Sequence, residues 1–189
     1  PGMNNPLERL RRDRRDKKLK KIELLVLDVD GVLTDGGLWF DSSGKLQKRF
    51  DVRDGLGIRL LQKAGLRLAF LSGGQGGATE VRAKQLDIEH CLVGIKDKTS
   101  ALLQLQRELN IGKEYTAFIG DDLNDLAVRD QIALLITPAD ACQAVRRQAD
   151  WVLHRRGGHG AVREAAEALL QSRRCWNELS RRGWRDRND

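Results

Sequence analysis

Aromatic side chains are scarce in this chain of 189 residues: they fill 5% of positions, against 40% hydrophobic overall. The length suffices for one domain with a sizeable core, and that core is therefore expected to be aliphatic. No stretch approaches the roughly 20 apolar residues of a transmembrane helix, so no membrane partner is expected. The polar, charged N-terminus does not read as a secretory leader. Cysteine occurs only at Cys91, Cys142 and Cys175, an odd and widely spaced set without a CxxC pair. That pattern argues against a disulfide framework or a zinc site and fits a reducing, cytoplasmic setting. Internal repeats are lacking, and no insertion is long enough to form a second domain.

What the chain has in excess is basic charge, formally +7. Residues 7–21 ("LERLRRDRRDKKLKK") carry nine basic and three acidic side chains. Residues 171–189 carry six and three, which leaves 22–170 two charges on the acidic side. The basicity therefore sits in an N-terminal tail (1–21) and a C-terminal tail (171–189) around a near-neutral domain (22–170). Such tails are usually solvated ends, so a nucleic-acid partner is not the favoured reading.

Within 22–170, short apolar runs alternate with helix-period segments. Strands are expected at 22–28 ("IELLVLD"), 65–74 ("GLRLAFLSGG"), 90–94 ("HCLVG"), 115–122 ("YTAFIGDD"), 131–136 ("QIALLI") and 151–153 ("WVL"). Helices are expected at 54–63, 77–86, 98–109, 123–129, 140–148 and 161–170. This alternation indicates an α/β fold, a three-layer, Rossmann-like parallel sheet covered on both faces. Residues 36–50 ("GGLWFDSSGKLQKRF") break the pattern and read as a β-hairpin inserted after the first strand.

Ligands of such sheets bind beyond the carboxyl ends of the strands. Asp28 and Asp30 follow the first strand, Ser72 and Gly73 the second, Lys96, Asp97 and Lys98 the third, and Asp121, Asp122 and Asp125 the fourth. Carboxylates gathered on one edge repel one another unless a cation sits among them. An oxygen-only donor set favours a hard ion such as magnesium (Mg2+), with Asp28 and Asp121 the natural pair of ligands. A lysine and a hydroxyl on the same edge suit a phosphoryl group. A carboxylate can itself attack phosphorus to form an aspartyl-phosphate, and a second one two residues on can serve as acid and then base.

Taken together, "DVDGVLTDG", the serine after the second strand, the later lysine and "GDDLND" resemble the signature of the haloacid dehalogenase superfamily. More narrowly, "DVDGVLTDG", "VRDGLGIRLL", "KDK", "GDDLND" and "RGGHGAVRE" are similar to the 3-deoxy-D-manno-octulosonate 8-phosphate (KDO 8-phosphate) phosphatase family, over about 22–170. The resemblance implies a capless, magnesium-dependent phosphomonoesterase acting on an acidic sugar phosphate. It implies Asp28 as nucleophile and metal ligand, and Asp30 as general acid/base whose carbonyl also reaches the metal. Ser72 and Lys98 would hold the phosphoryl group, Asp121 would complete the metal ligands, and Asp122 and Asp125 would stand behind them. Substrate contacts would come from Asp30, Asp51, Val52, Arg53, Asp54, Gly55, Arg59, Gly73, Arg82, Lys98 and His159. It further implies a homotetramer in which the hairpin (36–50) of one subunit and the tail (157–160) of a neighbour complete the site.

Two positions depart from that family's usual pattern. Gly74 and His159 stand where arginine is usual, and each lost charge-assisted contact is worth about 1.5–3 kcal/mol. A nine-carbon keto-sugar acid 9-phosphate is therefore an alternative substrate. A phospho-acceptor signalling protein would share Asp28, Lys98 and the acidic cluster, but it has no use for an acid/base at Asp30. A basic-tailed nucleic-acid binder is the third reading.

Overall fold

A computed structural model describes residues 6–181; residues 1–5 and 182–189, the outer ends of the two basic tails, lie outside it. Six parallel strands form one sheet in the order β5-β4-β1-β6-β7-β8: β1 (Leu24–Leu27), β4 (Arg67–Leu71), β5 (His90–Leu92), β6 (Thr116–Ile119), β7 (Leu134–Thr137) and β8 (Trp151–Val152). The central strand β1 is apolar at every position ("LLVL") and buried throughout, as expected for a strand covered on both faces. Its side chains alternate between two cores. Leu25 and Leu27 face the one built with α2 (Val52–Lys63) and α6 (Ala161–Ser172); Leu24 and Val26 face the one built with α4 (Lys98–Leu109). The three-layer architecture follows, with α3 (Ala78–Gln85) and α5 (Gln143–Gln148) completing the helical layers.

After β1 the chain moves to β4 and β5 on one side, then returns to β6, β7 and β8 on the other. Leu27 pairs with Phe70 and with Ile119, so Asp28, the residues after β4 and those after β6 emerge at one level. The reversal of strand order next to β1 opens a crevice at the carboxyl edge, where such sheets bind ligands.

The inserted hairpin is present as β2 (Trp39–Phe40) and β3 (Leu46–Gln47), an antiparallel pair separate from the main sheet. Asp41 accepts the N–H groups of Ser43 and Lys45, closing the turn, and Trp39 and Phe40 are exposed. Two expectations are adjusted. The segment after β6 is a nine-residue 3-10 helix (Leu123–Gln131) rather than an α-helix. Its entry is tightened because the Asp125 carboxylate accepts the N–H groups of both Asp121 and Asp122. The basic N-terminal segment is not all solvated: α1 (Pro6–Leu19) buries Leu19, and Lys18 donates to Ala133 O at 2.8 Å and to Asp150 at 3.0 Å. The C-terminal segment adds a short α7 (Trp176–Ser180). Among the described residues, no helix is long and apolar enough to cross a membrane.

Candidate active site

A cavity of about 460 Å³ opens at the carboxyl edge, lined among others by Asp28, Asp30, Ser72, Gly73, Asp121, Asp122, Asn124 and Asp140. Asp28 stands one residue past β1, its N–H held by Ile119 O at 2.9 Å. One carboxylate oxygen accepts the Val29 N–H at 2.8 Å and lies 3.2 Å from Lys98 Nζ. The other carries no hydrogen bond among the described residues. A carboxylate anchored through one oxygen keeps the second available for attack or for a metal.

Lys98 opens α4, whose cap Asp97 accepts the Ser100 N–H at 3.0 Å and so fixes the direction from which the ammonium enters. Its side chain is buried to 1% exposure, and Nζ lies 2.6 Å from Asp125 Oδ1 as well as near Asp28. Burial pulls the lysine pKa down, but Asp28 and Asp125 outweigh it and hold the ammonium charged. Asp125, fully buried, spends both oxygens: one on Lys98, the other on the backbone N–H groups of Asp121 and Asp122. It is a brace with no oxygen left for a ligand. Asp122 caps the 3-10 helix by accepting the Leu123 N–H, so it too has a structural task.

Asp28, Asp121 and Asp125 each bring a carboxylate oxygen within 4.8 Å of the other two. Burial, with repulsion from Asp125, raises Asp28 to about 7, against the opposing pull of Lys98 and the Val29 N–H. Burial, then Asp28, Asp125 and Asp122, raises Asp121 to about 8. Asp121 Oδ1 is buried without a hydrogen-bond partner among the described residues. An orphaned oxygen among mutually repelling carboxylates is what a hard divalent cation would relieve, so the donor set fits magnesium. With Asp125 engaged elsewhere, Asp28 and Asp121 are the side chains free to hold it. Gly31, at φ +85°, makes the close approach possible, because a Cβ there would stand 2.0 Å from Asp121 Oδ2.

Ser72 is buried, and its hydroxyl accepts the Gly74 N–H at 3.1 Å. The Asp30 carboxylate faces the same cavity, and its partner was not foreseen from sequence. Lys48, just past β3, places Nζ 2.7 Å from Oδ1 and 2.9 Å from Oδ2 of Asp30. One lysine in "KLQKRF" carries no local signal that separates it from its neighbours; only the hairpin's docking does. Asp35, Asn124 and Asp140 also stand in the cavity wall; Asp35 and Asn124 lie within "DVDGVLTDG" and "GDDLND", and Asp140 outside any such motif.

The proposed substrate residues divide. Arg82, 7% exposed, lines a second cavity of about 610 Å³ together with Lys45, Lys48 and Phe50. It lies over the Phe50 ring, and Gly55 is packed against its guanidinium. Asp51 caps α2 and forms a fork with Arg53, whose side chain is half exposed, and Val52 is exposed. The Arg53 hydrogen bonds hold Asp51 below the usual carboxylate range. Asp54 is buried and accepts the Arg163 N–H at the start of α6, a structural contact; burial raises it to about 6. Arg59 is committed to Asp87, at 2.5 Å, and to Gln85 O, and lines neither cavity. His159 Nδ1 donates to Gly157 O at 2.8 Å and also lines neither. The glycines beside it brace the loop after β1: a Cβ at Gly157 would meet Gly31 O at 1.8 Å.

The geometry has counterparts among known proteins. A family model described as haloacid dehalogenase-like hydrolase matches residues 58–164. A 3-deoxy-D-manno-octulosonate 8-phosphate phosphatase of Salmonella typhi is 40% identical over 149 residues, 79% of this chain and 79% of its own. That of Haemophilus influenzae is 39% identical over 151 residues, 80% and 84%. The crystal structure of the Yersinia pestis phosphatase of the same name superposes with a TM-score of 0.86 at 36% identity, covering 87% of this chain and 89% of that one. The Moraxella catarrhalis phosphatase, solved with magnesium, phosphate and KDO, gives 0.84 at 37% identity, covering 86% and 94%.

Proposed function

Because the chain belongs to the haloacid dehalogenase-like hydrolases, we propose that it is a magnesium-dependent phosphomonoesterase that releases phosphate from 3-deoxy-D-manno-octulosonate 8-phosphate. The observation that carries this reading is the convergence of Asp28 and Asp121 on one cavity, with the buried Lys98 ammonium 3.2 Å from Asp28. Its overall likeness to a phosphatase solved with magnesium, phosphate and KDO supports it.

In this reading Asp28 attacks phosphorus through its unanchored oxygen. The phosphorus–sugar oxygen bond breaks, and Asp30 gives its proton to the departing oxygen. An aspartyl-phosphate remains on Asp28. Asp30, now a carboxylate, takes a proton from water as that water attacks phosphorus, which frees Asp28 and phosphate. Lys98 holds Asp28 in line and offers its positive charge to the phosphoryl oxygens, and the Ser72 hydroxyl offers a hydrogen bond. Magnesium, held by Asp28, Asp121 and the Asp30 carbonyl, would supply neutralisation of the charge on the transferring group.

The substrate's acidic sugar end belongs, in this reading, with the basic second cavity around Arg82 and with Asp51 to Gly55. Arg59 and His159 would reach it only from a neighbouring subunit or after rearrangement. A homotetramer is part of the proposal, supported by the exposed Leu38, Trp39 and Phe40 of the hairpin region. So is a cytoplasmic setting, supported by three free cysteines. The catalytic unit is taken as 22–170, with the basic tails accessory. Gly74 and His159 favour one second reading, a nine-carbon keto-sugar acid 9-phosphate. A phosphate-release assay with magnesium, run on both substrates, decides between them; release from neither would refute the proposal.

A further inference from the structure

Lys48 is an unusual lysine. It comes from the hairpin, outside every segment that builds the cavity floor, yet its side chain is 1% exposed. Its contacts among the described residues converge on one place: Asp30 at 2.7 and 2.9 Å, and Thr79 Oγ1, itself fully buried at the start of α3, at 3.3 Å. It lines the basic cavity, whereas Asp30 lines the acidic one, so the ion pair stands in the wall between them. Opposite lies Gly74. A Cβ there would fall 2.6 Å from Asp30 Oδ2, 3.4 Å from Ser72 Oγ and 3.5 Å from Lys48 Nζ. Gly74 is not at positive φ, so its backbone tolerates a side chain; the space does not.

A buried lysine is costly unless fully paired, and this one is paired with the carboxylate assigned to proton transfer. A carboxylate on a loop, with its side chain 31% exposed, would otherwise sample several rotamers. We propose that Lys48 is a positioning residue, which, with the lack of a side chain at Gly74, holds the Asp30 carboxyl group aimed at the leaving oxygen. Fixing a proton donor within hydrogen-bond reach of its target is what general acid catalysis requires. The hairpin then does more than cover the site: through Lys48 it sets the donor's geometry. This rests on Asp30 being the acid/base of the reading above.

The test compares an alkyl phosphate, whose leaving oxygen needs a proton, with p-nitrophenyl phosphate, whose leaving group does not. The variants are Asp30→Asn, Lys48→Met, Gly74→Ala and the Asp30→Asn/Lys48→Met pair, each checked by melting temperature and by its magnesium-induced shift. The kcat/KM values report the step up to the aspartyl-phosphate. Lys48→Met and Gly74→Ala are expected to lower the alkyl value at least about tenfold more than the aryl value, following Asp30→Asn in kind. Lys48→Met is expected to add less than about twofold in the Asp30→Asn background, since both act through one group. Equal losses on the two substrates, or none, would overturn the assignment of Lys48 while leaving Asp30 as it stands. A loss confined to a sugar phosphate bearing a carboxylate, absent for a simple alkyl phosphate, would make Lys48 a substrate contact and also overturn it. If Asp30→Asn itself showed no leaving-group dependence, the acid/base reading would fall, and the role of Lys48 with it.

Discussion

Lys98 Nζ lies 2.6 Å from Asp125 and 3.2 Å from Asp28, a single buried ammonium spanning a nucleophile candidate and the brace behind it. Among the described residues, neither carboxylate pairs with another cation. Lys98→Met should therefore leave two buried charges uncompensated, at about 3–5 kcal/mol in urea unfolding without magnesium. Phosphate release should drop at least about 100-fold. Unchanged stability with lost activity would mean that the ion pair contributes only to chemistry.

Asp28, Asp121 and Asp125 repel one another, and Asp121 Oδ1 has no partner among the described residues. Asp121→Asn removes one charge from that cluster. Above about pH 8, where Asp121 is ionised, the variant should melt higher than wild type in the absence of divalent ions. Wild type at about 100-fold excess over the dissociation constant should gain about 2.7 kcal/mol from magnesium, and the variant little. Differential scanning calorimetry with and without the ion reads both effects, and an equal magnesium shift in the two proteins would remove Asp121 from the ligand set.

Gly31 sits at φ +85° with Asp121 Oδ2 in the place of its missing Cβ. Gly31→Ala incurs about 1–2 kcal/mol for the backbone alone and pushes Asp121 aside. A lower melting temperature together with a lost magnesium shift is expected. A stability loss that leaves the magnesium shift intact would show that the loop moves while Asp121 stays.

Asp54 is raised from its ordinary 3.8 to about 6, chiefly by burial. A raised folded-state pKa means the native protein binds the proton more tightly than the unfolded chain does. Its contribution to stability is complete below about 3.8 and is lost as pH rises through about 6. At roughly 1.36 kcal/mol per unit, this amounts to about 3 kcal/mol. Asp54→Asn keeps an acceptor for the Arg163 N–H without the ionisation. The stability difference between variant and wild type should thus shift in the variant's favour between pH 4 and 7, as followed by urea unfolding. A pH-independent difference would contradict the burial argument.

Much of the fold was legible because its strands declare themselves: "LLVL" is wholly apolar, "LLIT" and "TAFI" are apolar apart from one threonine each, and all three are buried throughout. Lys98 to Leu109 was readable to the residue, since Asp97 caps its start and Asn110 at φ 53° ends it. The acidic cluster was legible for a simpler reason: parallel strands deliver their following residues to one edge. The 3-10 geometry after Asp122 was not, because it depends on Asp125 reaching back to two backbone N–H groups. Lys48 was invisible because its significance arises only when the hairpin folds onto the loop after β1. The hold of Asp87 on Arg59, across 28 residues, was invisible as well, since no local pattern links the two.

The central claim is that Asp28 becomes phosphorylated during turnover. Rapid acid quenching of the enzyme with its sugar phosphate and magnesium, followed by peptide mass spectrometry, tests it. A phosphoryl group is expected on the peptide 24–37, carried by Asp28 and lost in a folded, inactive Asp28→Asn variant. A phosphoryl group on any other residue, or an Asp28→Asn protein that still turns over, would contradict it.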